Sequence, residues 1–327
     1  MSEDSSHPVL EKAKVPFPDA AYATRSTTRL TSAALPGSGL GDLANVVSWA
    51  GRVQATAEPV AFQKIQAIVV SGDYAGGFAA GEPDGSSRDV ADIIDRLADR
   101  AGVPIERIDT GPGRAAEEEA VLTDDEYTEA ITRGAEIADR HIDSGVDALV
   151  LIGSGPGTTA AAVAVTAHIS RTPFVDLSPR IQVPGGLFDD NTWMQRVAAT
   201  RDAFARVGES SRKARDTLSQ LGGRVLATMT GLIVAAGLRR TPVLFDGPVA
   251  AASALAARDF SLGAPKWCYA PDRIPHPVVE KVAAQVGMSK PIGPGLDIGE
   301  GCAVLHVLPQ LQDALRLASA LPYPASD

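Results

Sequence analysis

Short apolar, β-branched runs alternate along the chain with stretches in which apolar residues return every three or four positions. The runs cover residues 65–71, 105–109, 148–152, 173–177 and 242–245. None alternates strictly with polar residues, the pattern of strands covered on both faces. The intervening stretches have readable helix ends. Ser87 is placed to cap a helix carrying Val90, Ile93, Ile94 and Leu97, with Gly102 just past its end. Thr123 and Glu126 form a capping box, and Gly145 closes the helix they open. A turn over residues 36–41 feeds a helix whose apolar face is Leu43, Val46, Val47 and Ala50. This β–α alternation predicts an α/β fold with a parallel, doubly wound sheet. Residues 1–30 are polar, bear prolines and lack apolar periodicity, so they read as a loosely held arm.

The charge balance narrows the choice of partners. Thirty basic and 40 acidic residues leave a net charge of −10, which argues against nucleic acid or an anionic membrane. Mean hydropathy is +0.03, and no apolar run reads as the roughly 18 residues of a membrane span. The polar, acidic start lacks a signal-peptide core, which points to the cytoplasm. Cys268 and Cys302 are too few for a disulfide framework, and the five histidines show no metal spacing. No metal or cofactor is expected.

Ligands of doubly wound sheets sit at the carboxyl ends of the strands, so the loops there hold the candidate chemistry. After the first run comes Asp73, which either holds a sugar hydroxyl or bonds its own turn. After the third comes Gly153-Ser154-Gly155-Pro156-Gly157, with Thr158 and Thr159 opening an Ala-rich helix. Backbone N–H groups and hydroxyls at such a start cradle a phosphate, unless the glycines merely make a tight turn with a threonine cap. The spacing matches neither GxGxxG nor GxxxxGK(S/T), which makes an NAD-binding site a poor reading. Gly185 and Gly186, followed by Asp189, Asp190 and Arg196, offer either a second set of phosphate donors or an ordinary helix start. Asp246 ends the fifth run and either orients a ligand or caps the helix beginning at Pro248. Glu300 lies between Gly299 and Gly301 just before the last helix. It is either a desolvated general base or a first-turn glutamate favoured by the helix dipole.

These segments together resemble the nicotinate-nucleotide:dimethylbenzimidazole phosphoribosyltransferases. The stretch LGGRVLATMTGLIVAAGLRRTPVLFDGPVAAASALAAR follows that family's glycine-pair, arginine-pair and Asp-Gly segment almost residue for residue. GEGCAVLHVLPQLQDALRL resembles its GEG ending, and PGSGLGDL its start. The segments TDDEYTEAITRGAEIADRHIDSGVDALVLIG and LFDDNTWMQRVAATRDA resemble those on either side of its glycine loop. The resemblance implies a Rossmann-like α/β domain over residues 63–301, a small helical domain from residues 31–62 and 302–327, and a homodimer. It also implies a reaction without metal or redox cofactor. The ribose phosphate of nicotinate mononucleotide lies in the glycine loops, among Asp73, Gly153–Thr159, Gly185, Gly186, Arg196, Asp246, Asp297, Gly299 and Gly301. Glu300 takes a proton from an aromatic base, commonly dimethylbenzimidazole, whose other nitrogen displaces nicotinate with inversion at C1′. The product is the lower-ligand nucleotide of cobalamin.

The departures define the alternatives. The family's GDHG reads Gly72-Asp73-Tyr74-Ala75, and its base-pocket segment is not recognisable in EPDGSSRDV. Its glycine loop has lost an acidic residue and an asparagine, and a lysine becomes Arg196. Asp297 replaces an arginine, a charge reversal that raises the Glu300 pKa if it lies near or repels a substrate phosphate. The family's serine–glutamate–proline stretch reads Asp272 to Pro277. One alternative is an enzyme of the same fold with another donor or acceptor base. Another is a catalytically weak subunit that completes a heterodimer with a paralogue. Trp49, Trp193 and Trp267 are expected to pack helices, and His306 and Cys302 to lie in the core.

Overall fold

The computed structural model describes residues 10, 13–81, 86–183, 185–208 and 211–324. Asp19 caps helix α1 (Ala20–Ser32), its carboxylate accepting the Ala21 N–H at 2.9 Å. Residues 20–30, expected in a loose arm, are thus helical. Leu30 and Val15 are buried, and the Val15 N–H donates to Ser261 Oγ at 3.1 Å. Helix α2 (Ala44–Gln54) buries Val46, Val47 and Ala50, as its spacing predicts, together with Trp49 and Val53, while Leu43 lies in the turn before it and is only half-buried.

The chain then alternates through β1 (Ile65–Asp73), α3 (Ser86–Ala101), β2 (Ile105–Pro112), α4 (Asp124–Asp143), β3 (Ala148–Ser154) and α5 (Thr158–Ser170). The side chain of Ser87, expected as a cap, lies outside the described residues, as do residues 82–85 of the altered base-pocket segment. The Thr123–Glu126 capping box forms with both of its hydrogen bonds.

Residues 173–177 are not a strand. Pro173 leads into a single helical turn, α6 (Phe174–Leu177), with only Leu177 buried. The place beside β3 goes instead to a later strand, so an apolar run starting at proline has no ladder to join. A hairpin of β4 (Gln182–Val183) and β5 (Leu187–Phe188) follows, then α7 (Asp190–Val207), α8 (Ala214–Thr217) and α9 (Gly223–Leu238). The last part is β6 (Val243–Leu244), α10 (Pro248–Phe260), β7 (Cys268–Tyr269), α11 (Pro277–Val286) and α12 (Cys302–Ala320). Two residues carry no period to read, which is why β7 escapes sequence reasoning.

The five-stranded sheet runs β2–β1–β3–β6–β7, all parallel. Chain order reverses between β1 and β3, so their carboxyl ends form the crevice in which such sheets bind ligands. Helices α4 and α9 pack against each other through glycine. A Cβ on Gly134 would lie 1.9 Å from the Thr228 carbonyl, and one on Gly231 2.1 Å from that of Ile131. The helical stretch Ala214–Leu238 has the length and hydropathy of a membrane span (25 residues, 1.5), contrary to the expectation that no run would. Of its most apolar 18-residue window, 89% is buried inside the fold, as a core helix between sheet and helices is. Trp49 stacks on Tyr269, Trp267 and Cys302 are buried, and His306 is half-buried beside Arg100.

Candidate active site

At the carboxyl ends of β3 and β6, two carboxylates exchange helix caps. Asp246 stands two residues before α10 but caps α12, accepting the N–H groups of Gly301 at 2.6 Å and Val304 at 2.9 Å. Glu300 stands two residues before α12 but sits on the start of α10. Its Oε2 accepts the Val249 N–H at 3.1 Å, and its Oε1 accepts those of Ala250 at 3.2 Å and Gly153 at 3.0 Å. The sequence places an acid and a glycine before each helix, at Asp246-Gly247 and Glu300-Gly301, and the fold crosses them over. Gly247 makes the crossing possible, because a Cβ there would lie 2.0 Å from Glu300 Cδ.

The electrostatics follow from this arrangement. Burial, and then the like charge of Asp246, push the Glu300 pKa up to about 8 against the pull of its three N–H donors. Burial also lifts Asp246 to about 6, with Asp272 adding to the rise. Glu300 is therefore a desolvated carboxyl beside a second acid, not an exposed first-turn glutamate. A carboxylate has about four lone-pair directions, and three are taken here, leaving one on Oε2. Such a group exchanges a proton near neutral pH.

The loop carrying Glu300 is held at both ends. Asp272, 2% exposed, accepts the Gly295 N–H at 2.7 Å and the Leu296 N–H at 3.1 Å, while Asp246 holds Gly301. Asp297 lies between these anchors, is exposed, and makes no hydrogen bond or ion pair among the described residues. The second acid that raises Glu300 is Asp246, and Asp297 is not among the causes. Asp297 thus adds charge to the surface of the loop and leaves the carboxyl within it unaffected.

The glycine loop is shaped by packing as well as by any ligand. Gly155 has φ +115°, and a Cβ there would meet the Gly72 carbonyl oxygen at 2.3 Å, so the loop can rest on the end of β1 only as glycine. Gly157 abuts Tyr74, whose hydroxyl donates to the Gly222 carbonyl. Ser154 ends β3 half-buried, level with Ser71. The Thr158 hydroxyl donates back to Gly155 O at 2.8 Å and is buried, so it is committed within the loop. Thr159 instead faces a cavity of about 180 Å³ at the start of α5.

That cavity gathers Arg196 and Trp193 from α7, Arg180 from the preceding loop, and His276 from the start of α11. Arg196 Nε donates to Ala80 O at 2.9 Å, which fixes the side chain across the loop after β1. Among the described residues no carboxylate lines the cavity, in a chain whose acids outnumber its bases. Asp189 caps α7 through Thr192, and Asp190 is exposed near Arg180. Gly185 and Gly186 make the β4–β5 turn with φ +88° and +75°, and a Cβ on either would meet open space. No described contact joins them to the cavity or to Glu300. Asp73 is exposed at the end of β1. Gly299 abuts Val90 and Gly301 abuts Ile152. Sequence reasoning missed His276. The His-Pro start of α11 was its visible signal, hidden because histidine is an uncommon cap.

An α/β sheet with a proton-exchanging carboxyl at its strand ends, and a cavity lined by two arginines at the start of α5, has the layout of an enzyme. Residues 15–324 match the profile of a phosphoribosyltransferase family. The nicotinate-nucleotide–dimethylbenzimidazole phosphoribosyltransferase of Mycobacterium ulcerans is 31% identical, over 94% of this chain and 92% of that protein. Its counterpart in Mycobacterium tuberculosis is 33% identical with the same coverage. A crystal structure of the enzyme of that name from Thermus thermophilus shares the fold with a TM-score of 0.79, at 20% identity, over 92% of this chain and 96% of that one. The chain belongs to the nicotinate-nucleotide–dimethylbenzimidazole phosphoribosyltransferase family and is an enzyme of the glycosyltransferase type.

Proposed function

We propose that the protein transfers 5-phosphoribose from nicotinate mononucleotide to an aromatic base, with dimethylbenzimidazole as the default acceptor, and so supplies a lower-ligand nucleotide for cobalamin. The observation that carries this reading is the Glu300 carboxyl, half-buried at the end of β3, shifted toward neutral pH and left with one unused lone pair. In this reading Glu300 takes the N–H proton of the acceptor. The acceptor's other ring nitrogen bonds to C1′, and the bond from C1′ to the pyridinium nitrogen breaks. The electron pair of that bond neutralises the ring, nicotinate leaves, and the anomeric centre inverts. The leaving group is already activated as a pyridinium, so positioning and one base suffice. The ribose phosphate occupies the cavity at the start of α5, where helix N–H groups and Arg196 favour an anion.

Gly153 and Gly301 serve this reading by placing Glu300, and Asp246 by holding its loop. A homodimer in the cytoplasm completes it. Val175, Leu187, Phe188 and Met194, exposed on neighbouring segments, offer apolar surface for a second copy. The exposed Asp297 favours a second reading, in which the same chemistry runs with a different acceptor base. Purified protein incubated with nicotinate mononucleotide and a panel of benzimidazoles, purines, phenols and imidazoles decides between them. Nicotinate release with dimethylbenzimidazole supports the first reading, and release only with another base supports the second. No release with any acceptor from folded protein sinks both and turns attention to a paralogue partner or a different donor.

A further inference from the structure

The far end of α5 opens on a second cavity, of about 510 Å³, which has no lining residue in common with the one at its start. Thirteen residues of helix, about 20 Å, separate the two. The volume falls inside the roughly 300–1,000 Å³ of small-molecule sites. One side of the cavity is a row of rings. Phe174 meets Phe204 edge to face, with centroids 5.4 Å apart and planes at 79°, and His168 meets Phe204 likewise at 5.9 Å and 60°. These rings come from α6, α7 and α5, and the fold stands them together on one wall. A further flat ring continues such a row through the same edge-to-face contacts.

The other side is charged. Arg171 follows the last turn of α5, Arg212 stands just before α8, and both line the cavity. Among the described residues neither makes a hydrogen bond or an ion pair, and the lining holds no carboxylate. Asp259, the acid that approaches α8, accepts the Ala214 N–H at 2.6 Å and is not part of the wall. Burial, and then the charge of Arg212, hold the His168 pKa below its ordinary value, so that ring adds no charge at neutral pH. Arg171 has φ +55°, the left-handed position after a helix where glycine is usual, so a long cation stands where the backbone favours none.

The balance of charge selects the ligand. Helices α5 and α7 both end at the cavity, and each helix end carries about half a negative charge. Two guanidinium groups outweigh them by about one positive charge, which suits a monoanion and falls short of a dianion such as phosphate. A carboxylate also matches the planar fork of a guanidinium.

We infer that this cavity binds a small aromatic monocarboxylate, its ring continuing the Phe174–Phe204 row and its carboxylate held by Arg171 and Arg212. The site lies apart from Glu300 and stands or falls independently of the transfer reading.

Calorimetric titration with benzoate, benzamide and inorganic phosphate tests it on the parent and two variants. The double variant Arg171→Gly, Arg212→Ala removes the charge; both positions are exposed and glycine suits φ +55°, so the protein should melt within a few degrees of the parent. Phe204→Leu removes the central ring and keeps an apolar side chain. The parent should bind benzoate at least tenfold more tightly than benzamide, its neutral isostere, and than phosphate. Benzoate affinity should fall at least tenfold in the double variant and at least threefold in Phe204→Leu. A parent that binds no benzoate overturns the inference. Benzoate affinity unchanged in the folded double variant overturns it too, since the carboxylate is then held elsewhere. Phosphate bound as tightly as benzoate would reduce the cavity to a plain anion patch and overturn the aromatic assignment.

Discussion

Glu300→Gln tests the desolvated carboxyl and its role through stability and activity together. Three backbone N–H groups converge on the carboxylate, two on Oε1 and one on Oε2. A glutamine oxygen can keep the pair on Oε1, but its amide N–H then faces the Val249 N–H. Losing that acceptor costs about 1–3 kcal/mol, partly offset by removing an ionisable group from a desolvated site. The variant should therefore fold, with a net change of about 2 kcal/mol or less at neutral pH. The pH dependence is the sharper readout. With its folded pKa raised from 4.5 to about 8, Glu300 keeps its proton in the native state over a range where the unfolded chain has lost it. The native state then binds more protons than the unfolded one, so stability falls as pH rises through that window and is fully present below it. At about 1.4 kcal/mol per pH unit, discounted for partial exposure, the group contributes on the order of 3 kcal/mol to the change across the window. Urea denaturation at pH 5, 7 and 8.5 should show the parent losing stability with pH and the variant losing much less. Nicotinate release by the variant should drop about 10²- to 10⁴-fold, the usual worth of a general base. A variant with the parental pH slope, or with activity within threefold of the parent, would refute both the desolvated state of Glu300 and its role.

Two further substitutions probe the crossed caps. Gly247 has an ordinary φ of −114°, so Gly247→Ala is sterically directed and not strained in its backbone; its methyl would overlap the Glu300 carboxyl. It should expel Glu300 from the start of α10, cutting turnover at least a hundredfold in a protein whose circular dichroism is unchanged; retained turnover would show that Glu300 acts from some other position. Asp246→Asn removes the like charge beside Glu300 and turns an amide N–H toward one of the two α12 donors, a loss of about 1–3 kcal/mol. The acid limb of its kcat/KM profile should move to lower pH, since the Glu300 pKa falls when the repulsion goes. A limb that stays in place would mean the two acids are not coupled.

How much of the site could be read from the chain differs residue by residue. The Asp-Gly and Glu-Gly pairs each stood out as an acid before a helix, and both readings, cap and base, were open. What neither pair reveals is that each acid serves the other's helix, a relation across 51 to 55 residues of chain that arises only when β6 and α12 meet. Thr158 and Thr159 are adjacent and chemically alike, yet the hydroxyl of Thr158 folds back on Gly155 while Thr159 lines the cavity. The turn of about 100° between neighbours on a helix makes that difference, and the first residue of α5 decides which is which.

The alternation of buried strands and capped helices was determined by the sequence, because burial on both faces and local hydrogen-bond chemistry act over a few residues. So were β1, β3, the Thr123–Glu126 cap and the candidate acids; β2 forms where expected but is an edge strand, exposed at Arg107 and Asp109 and not covered on both faces. Only the tertiary structure decided that residues 173–177 turn into helix, that Asp246 and not Asp297 is the acid that raises Glu300, and that His276 joins Arg196 in one cavity. Each of these depends on which segment takes a place in the sheet and on how far apart two side chains come to lie. Desolvation and Coulomb repulsion act through space, and the distances that set them exist only once the chain has folded.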